Sequence, residues 1–169
     1  MEREMKLKTI VAFAVVLFLG LQALPALAKI YGNARFGFFI DIPAAFGVAD
    51  PEPENGDGRR FHTPDNSAEL TASGGWIMAD DFAGEVANEN ELTVQDGWKI
   101  TYESKVTKSA ASYSGIKAGR IFYTRMITSC GGKTYASYWL EYPMAAKAKY
   151  EGLVKGLNAS LKVGVGNCG

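Results

Sequence analysis

His62 is the only histidine in this chain of 169 residues, and it is the first candidate for acid–base or metal chemistry. Either role requires partner side chains at short range, and the sequence does not identify them. The pattern Gly-x-Ser-x-Gly, which presents a nucleophilic serine in many hydrolases, does not occur. His62 precedes Thr63-Pro64 at the predicted end of a strand, where a solvated or capping histidine is the ordinary case. We therefore assign no catalytic residue.

An acidic loop, Asp50–Asp57, is the most distinctive segment of the sequence, because it has four carboxylates over eight residues. Such oxygen-rich loops can bind calcium, but this one lacks the regular Asp-x-Asp-x-Asp-Gly spacing and the closing glutamate. We interpret it as a solvated loop that contacts a protein partner, with calcium as the alternative, and we assign no metal ligand and no cofactor. The candidate partner-binding residues are Glu52, Glu54, Asp57, Arg59, Arg60 and Trp76.

Trp76 belongs to this set because it follows Gly74-Gly75 in a predicted loop, and exposed tryptophans often anchor protein interfaces.

The distribution of charge along the chain bears on the kind of partner. Residues 41–91 hold 12 carboxylates and two arginines, whereas residues 93–169 hold 11 basic and 4 acidic residues. Either the two halves pack together and their charges interleave, or the surface has an acidic face that suits a basic partner.

Cys130 and Cys168 are the only cysteines. In an oxidising compartment a single pair usually forms a disulfide, and the pair does not form the Cys-x-x-Cys motif of redox enzymes. The bond would close a loop of about 38 residues, for which chain entropy gives a stabilisation of about 4 kcal/mol. We predict a structural disulfide, and two free thiols are the alternative.

The first 28 residues have the order of a secretory signal: basic residues, an uncharged apolar run, and the small-x-small triplet Ala26-Leu27-Ala28. We expect cleavage after Ala28, which leaves residues 29–169 as one periplasmic domain that is not inserted in the membrane. A retained N-terminal anchor is the alternative, although Gly20 and Pro25 would break such a helix. The mature chain has a net charge of about −1, which provides no long-range attraction to nucleic acid.

Aromatic and β-branched runs predict several strands. They are Arg35–Ile42, a hairpin of Arg59–His62 and Glu69–Ser73, an alternating strand over Trp98–Val106 with one solvated face, and two strands containing Ile121–Tyr123 and Tyr138–Leu140. The last two strands have large apolar residues at consecutive positions, so both of their faces must be covered. The turn Cys130-Gly-Gly-Lys133 joins them as a central hairpin.

Two helices are predicted, one over Ala79–Gln95 and one over Ala145–Leu161. The second has an apolar stripe at Tyr150, Leu153, Val154, Leu157 and Leu161. This order of elements indicates an α+β domain with a mainly antiparallel sheet. Since the central strands are apolar on both sides, we expect helices on both faces of that sheet.

The run Tyr31–Pro43, the run Asn55–Phe61 and the later Tyr142-Pro143 resemble a group of proteobacterial periplasmic proteins of uncharacterised activity. More distantly, the layout resembles the PsbP family of extrinsic photosystem proteins. That resemblance implies an α/β/α sandwich over an antiparallel sheet and a non-catalytic binding or assembly role.

These observations favour an exported, non-catalytic protein that contacts another envelope protein through the acidic loop. The alternative is a small envelope hydrolase acting on cell-wall or ester substrates. It would use His62 or a carboxylate pair that the sequence does not single out.

Overall fold

The computed structural model describes residues 28–164. Residues 1–27 of the predicted signal, which spans residues 1–28, and Cys168 of the predicted disulfide lie outside the described residues. Within residues 28–164, no helix is long and apolar enough to cross a membrane.

A seven-stranded antiparallel sheet forms the centre of the molecule. Its strands are β3 (Val48–Ala49), β4 (Gly58–His62), β5 (Glu69–Trp76), β6 (Lys99–Glu103), β7 (Ala110–Lys117), β8 (Arg120–Ser129) and β9 (Thr134–Pro143). They lie side by side in the order β3-β4-β5-β9-β8-β7-β6. The predicted hairpins β4–β5 and β8–β9 are confirmed, and the second one lies at the centre of the sheet as expected.

A second, smaller sheet covers part of one face. It consists of β1 (Lys29–Asn33), β2 (Phe38–Ile42) and β10 (Lys162–Val163), with β2 in the middle and both pairs antiparallel. The helices are α1 (Phe82–Gln95) and α2 (Lys147–Ser160). Two short 3₁₀ turns, Cys130–Gly132 and Met144–Ala146, connect β8 to β9 and β9 to α2.

The large sheet is covered on both faces, which confirms the expectation drawn from its apolar central strands. On one face, Tyr138 and Leu140 are fully buried in the larger core, together with Tyr150 and Leu157 of α2. On the other face, fully buried Phe122 belongs to a separate cluster with residues of α1. The side chains of that cluster are Phe82, Val86, Trp98, Ala111, Tyr113, Phe122 and Met126. The molecule is therefore an α+β sandwich with antiparallel sheets, as predicted.

Both helices begin later than the sequence predicted, and each for a local reason. Asp81 has an extended backbone, and its side chain accepts a hydrogen bond from the Gly84 amide at 2.8 Å, so it caps α1 and the helix starts at Phe82. Pro143 is the last residue of β9, and the 3₁₀ turn after it delays α2 from the predicted Ala145 to Lys147.

The predicted strand Arg35–Ile42 is too long, because residues 34–37 form a turn and β2 begins at Phe38. Gly37 has a φ of 63°, in the left-handed region that glycine adopts without strain. The Asn33 side chain accepts a hydrogen bond from the Phe36 amide at 2.9 Å and closes the turn. Strands β1, β3, β7 and β10 were not predicted.

The predicted strand Trp98–Val106 is shorter than expected, and its alternation is lost. Strand β6 spans Lys99–Glu103, and only Ile100 is half-buried. The pairing with β7 shifts register between Ile100 and Tyr102, so these two residues do not share one face. The expectation of one buried face for this strand is therefore wrong.

Candidate functional site

Trp76 is not in a loop, as predicted, but is the last residue of β5, paired with Thr134 of β9. Its side chain is nevertheless 42% exposed. The indole stands edge-on against the Phe36 ring, with centroids 6.1 Å apart and planes at 73°. Trp76 is therefore an exposed aromatic side chain held in place by a buried one.

Arg35 connects this aromatic pair to the acidic loop. Its guanidinium carbon lies 5.1 Å from the centre of the Phe36 ring. Its Nη1 atom lies 2.5 Å from Oδ1 of Asp57 and also donates to the backbone oxygen of Asn55. The other carboxylate oxygen of Asp57 accepts a hydrogen bond from the Asn55 side chain at 2.7 Å. Contacts therefore run without a break from Trp76 to Asp57.

Hydrogen bonds from residues of β1 and β5 also hold the acidic loop against the two sheets. Asn33 is buried and donates to the backbone oxygen of Gly56 at 2.8 Å. The Gly74 amide on β5 donates to the backbone oxygen of Asp57 at 2.8 Å. The Tyr31 hydroxyl donates to Glu52 at 3.4 Å, and burial raises the pKa of Tyr31. We call Trp76, Phe36, Arg35 and the acidic loop together the docking surface.

Arg59 and Arg60 flank a groove of about 430 Å³ between the acidic loop and strands β4 and β5. Arg59 donates from Nε to the backbone oxygen of Asp50 at 2.9 Å, whereas Arg60 points to Glu69 with an N–O distance of 3.6 Å. Asp57 also lines this groove. Glu52 and Glu54 do not line it and lie exposed on the outside of the loop. The acidic loop, Arg59 and Arg60 thus lie at one edge of the large sheet, and Trp76 lies at the end of β5, next to β4.

His62 joins the acidic loop to β4. Its Nε2 atom lies 3.1 Å from Oδ1 of Asp50, and its Nδ1 atom lies 3.3 Å from the backbone oxygen of Thr63. A histidine that acts as a general base needs a ring nitrogen directed at the proton it removes. Both nitrogens of His62 are instead engaged by the chain itself, which is a structural arrangement.

The loop carboxylates do not converge on a common point. Asp57 pairs with Arg35, Asp50 contacts His62, and Glu52 contacts Tyr31. Within residues 28–164, no group of three or more histidine, cysteine, aspartate or glutamate side chains is placed to hold a metal ion.

Within residues 28–164, ion pairs do not join the acidic part of the chain to the basic part. Among the described residues, the pairs are Arg35–Asp57, Arg60–Glu69, His62–Asp50, Lys117–Asp96, Arg120–Glu141 and Lys147–Glu151. None of them links a carboxylate of residues 41–91 to a lysine or arginine of residues 93–164. The interleaving of charges expected from the sequence therefore does not occur through salt bridges in the described residues.

Cys130 lies beside the same Phe36–Gly37 turn that supports Trp76. Its sulfur is 4.0 Å from the backbone oxygen of Phe36, and the Gly164 amide donates to the backbone oxygen of Gly37 at 2.7 Å. The chain therefore leaves the described region next to Cys130, four residues before Cys168. The disulfide itself stays a prediction, because Cys168 is outside the described residues.

Sequence reasoning missed Arg35 and Phe36, because it placed both inside a strand. The signal that could have identified them is Asn33 followed four residues later by Gly37, a spacing typical of a turn. A turn at this position moves both side chains out of the strand pattern and toward β5 and the acidic loop.

Solved structures with the same architecture exist, although no protein-family model and no curated protein sequence matches the chain. The cyanobacterial PsbP protein of Synechocystis sp. PCC 6803 superposes with a TM-score of 0.61 at 12% identity, covering 85% of this chain and 96% of its own. The Ran-binding protein Mog1p of Saccharomyces cerevisiae gives 0.57 at 10% identity, covering 82% and 96%. A point mutant of the protein Mog1 gives 0.59 at 10% identity, covering 84% and 98%. At such identities the likeness concerns the fold alone. This chain has a distantly PsbP-like fold, as its sequence resemblance implied.

Proposed function

We propose that this chain is an exported, non-catalytic protein that binds another envelope protein through the docking surface. The observation that carries the proposal is the unbroken contact between exposed Trp76, Phe36, Arg35 and Asp57. Tryptophan and arginine are the residue types that most often dominate the energy of protein interfaces.

The docking surface is held in one arrangement before any partner binds. Asn33 and the Gly74 amide fix the backbone of the acidic loop, and Phe36 fixes the Trp76 ring. Less conformational entropy is therefore lost on binding than with a mobile loop.

The partner carries a basic surface. Glu52 and Glu54 are exposed, and the basic residues of the second half of the described chain do not pair with them. Opposite charges speed the encounter of two proteins and favour one orientation, an effect that salt weakens.

The non-catalytic role is supported by His62, whose ring nitrogens both face groups of the chain. It is also supported by one structural neighbour, Mog1p, which is a Ran-binding protein. The partner of this chain is proposed from its own surface and not from that neighbour.

Export is part of the proposal and rests on the N-terminal sequence. Mass spectrometry of the protein released from cells by osmotic shock checks it. We expect an N-terminus at Lys29. A full-length chain recovered with the membrane fraction would favour the anchored alternative.

The binding proposal is tested by pull-down from envelope extract with the immobilised mature domain. We expect Trp76→Ala to weaken capture of the partner by about 30-fold, which corresponds to about 2 kcal/mol for an interface anchor. The control is Tyr102→Ala, since Tyr102 is 50% exposed and lies on β6 at the opposite edge of the sheet.

A second variant tests the charge. The triple variant Glu52→Ala, Glu54→Ala and Asp57→Ala should lower capture and remove most of its salt dependence. The matched control, Asp41→Ala, Glu91→Ala and Glu103→Ala, changes the net charge equally at exposed positions elsewhere. Equal capture by wild type and both test variants, with unchanged thermal unfolding, would refute the role of the docking surface.

A further inference from the structure

A second recess lies on the opposite side of the sheet from α2, away from the acidic loop. It has a volume of about 540 Å³, within the usual range of small-ligand pockets, about 300–1,000 Å³. Its walls are the second half of α1, the turn between β7 and β8, and the end of β9. We call it the indole cleft, because Trp98 and Trp139 both line it.

The Trp139 ring offers one face to the indole cleft. Its other face is covered by Phe122, which lies parallel to it at a centroid distance of 3.9 Å and an interplanar angle of 5°. Phe122 is fully buried and does not line the cleft. The Trp98 ring stands nearly perpendicular to the Trp139 ring, with centroids 5.6 Å apart. The Lys117 ammonium lies 5.6 Å from the centre of the Trp98 ring. Trp139 is therefore the open aromatic platform.

Two ion pairs border this platform. Lys117 pairs with Asp96 at 3.0 Å, and Arg120 pairs with Glu141. Glu141 also accepts a hydrogen bond from the Trp139 ring nitrogen at 3.4 Å, which fixes the orientation of the indole. Because the charges are paired, the border presents hydrogen-bond donors and acceptors side by side with little net charge.

Glu89 is the remaining charged residue of the cleft. Its carboxylate accepts a hydrogen bond from the Tyr135 hydroxyl at 3.0 Å. Burial, and secondly the Glu89 charge, raise the pKa of Tyr135, so this hydroxyl stays protonated and donates. The charge on Glu89 disfavours an anionic ligand.

We infer that the indole cleft binds a neutral saccharide. A sugar ring has apolar C–H faces that can lie on the open face of Trp139, whose π-system carries partial negative charge. Each sugar hydroxyl can accept a hydrogen bond from Lys117 or Arg120 and donate one to Asp96 or Glu141. The paired border groups attract neither sign, and Glu89 repels an anion. A cation would have to lose its hydration for a single carboxylate that Tyr135 already engages. This inference concerns a site separate from the docking surface and does not depend on it.

Calorimetric titration with three trisaccharides tests the inference: neutral cellotriose, anionic trigalacturonate and cationic chitosan trimer. Tryptophan fluorescence of the Trp76→Phe variant gives a second readout, since only Trp98 and Trp139 then emit. We expect saturable binding of cellotriose at millimolar concentration and weaker binding of both charged sugars. Tighter binding of either charged sugar, or no saturable binding of cellotriose, would overturn the inference.

The double variant Asp96→Ala, Lys117→Ala removes one border pair without truncating a buried side chain. We expect it to weaken cellotriose binding by about 10-fold or more, since a hydrogen bond to a charged group contributes about 1.5–3 kcal/mol. The matched control, Lys147→Ala with Glu151→Ala, removes an exposed pair on α2 with an N–O distance of 3.3 Å. Unchanged affinity in the test variant, or an equal loss of affinity in the control, would show that cellotriose does not bind in the indole cleft.

Discussion

Phe36 packs directly on the backbone of Gly74, so closely that a Cβ atom at position 74 would lie 2.5 Å from the Phe36 Cβ atom. Glycine is therefore required at position 74 because a side chain would clash with Phe36, and not because of its φ angle. Its missing side chain lets the turn at residues 34–37 lie against β5, and this places Phe36 next to Trp76.

Substitution Gly74→Ala should destabilise the fold by about 1–3 kcal/mol, the usual cost of overpacking a filled site. The atoms in the way are the Cβ and ring carbons of a fully packed side chain, which cannot swing aside. Urea unfolding followed by circular dichroism measures the change.

The control for this prediction is Gly156→Ala on α2, where a Cβ atom would meet nothing within 4 Å. Here alanine should raise the free energy of unfolding by about 0.5–1 kcal/mol, because glycine is a poor helix former. Effects of equal sign and size at the two positions would contradict the packing argument.

Leu157 should be the side chain that most firmly attaches α2 to the larger core, since it is 1% exposed in the middle of the buried stripe. Leu157→Ala should cost about 2–5 kcal/mol, the range for removing a buried leucine side chain. Lys155→Ala, on the exposed side of the same helix, should change stability by less than about 0.5 kcal/mol. A loss at Leu157 no larger than that at Lys155 would show that α2 is not tightly packed.

Asp65 should make stability depend on pH in the acid range. Hydrogen bonds from the Thr63 hydroxyl and from the amide and hydroxyl of Ser67 lower its pKa from 3.8 to about 2. Since the folded pKa is below the unfolded one, the stabilisation is complete above about pH 4 and is lost as the pH falls through about 2. The Asp65→Asn variant should therefore have a lower free energy of unfolding than wild type at about pH 6. The two values should approach each other near pH 2. Unfolding curves across this range check the sign, and a constant difference would contradict it.

Reduction of the Cys130–Cys168 pair should lower the free energy of unfolding by about 4 kcal/mol if the predicted bond forms. The reason is the larger conformational freedom of the reduced unfolded chain. Intact mass before and after alkylation counts the thiols, and unfolding with and without reductant measures the loss. A double Cys→Ser variant that is as stable as the oxidised wild type would contradict the prediction.

The central strands and both helices could be predicted from the sequence, because short-range patterns decide them. Consecutive apolar residues at Ile121–Tyr123 and Tyr138–Leu140 require cover on two faces, and the stripe from Tyr150 to Leu161 requires one helical face. Strand β7 escaped prediction because small residues occupy both of its faces, Ser112 and Ser114 on one and Ala111 and Gly115 on the other, and these carry little hydrophobic signal.

The docking surface could be predicted only in part. The acidic loop and Trp76 are recognisable by composition, but their association depends on Phe36 and Arg35, which lie about 40 and 20 residues away in sequence. The indole cleft could not be found at all, since α1, the β7–β8 turn and the end of β9 meet only in the folded chain. Contacts of this kind are set by strand order, which no local pattern specifies.

The register shift between Ile100 and Tyr102 also affects whether a strand of another molecule can pair with the β6 edge of the large sheet. Strand β6 is the longer of its two edge strands, and a flat edge strand would template intermolecular pairing and amyloid. The shift interrupts the outer row of amide and carbonyl groups after two residues, and Lys99 and Glu103 add a charge at either end. The same irregularity that leaves β6 exposed to water therefore makes this edge a poor template for pairing with a second copy of the chain.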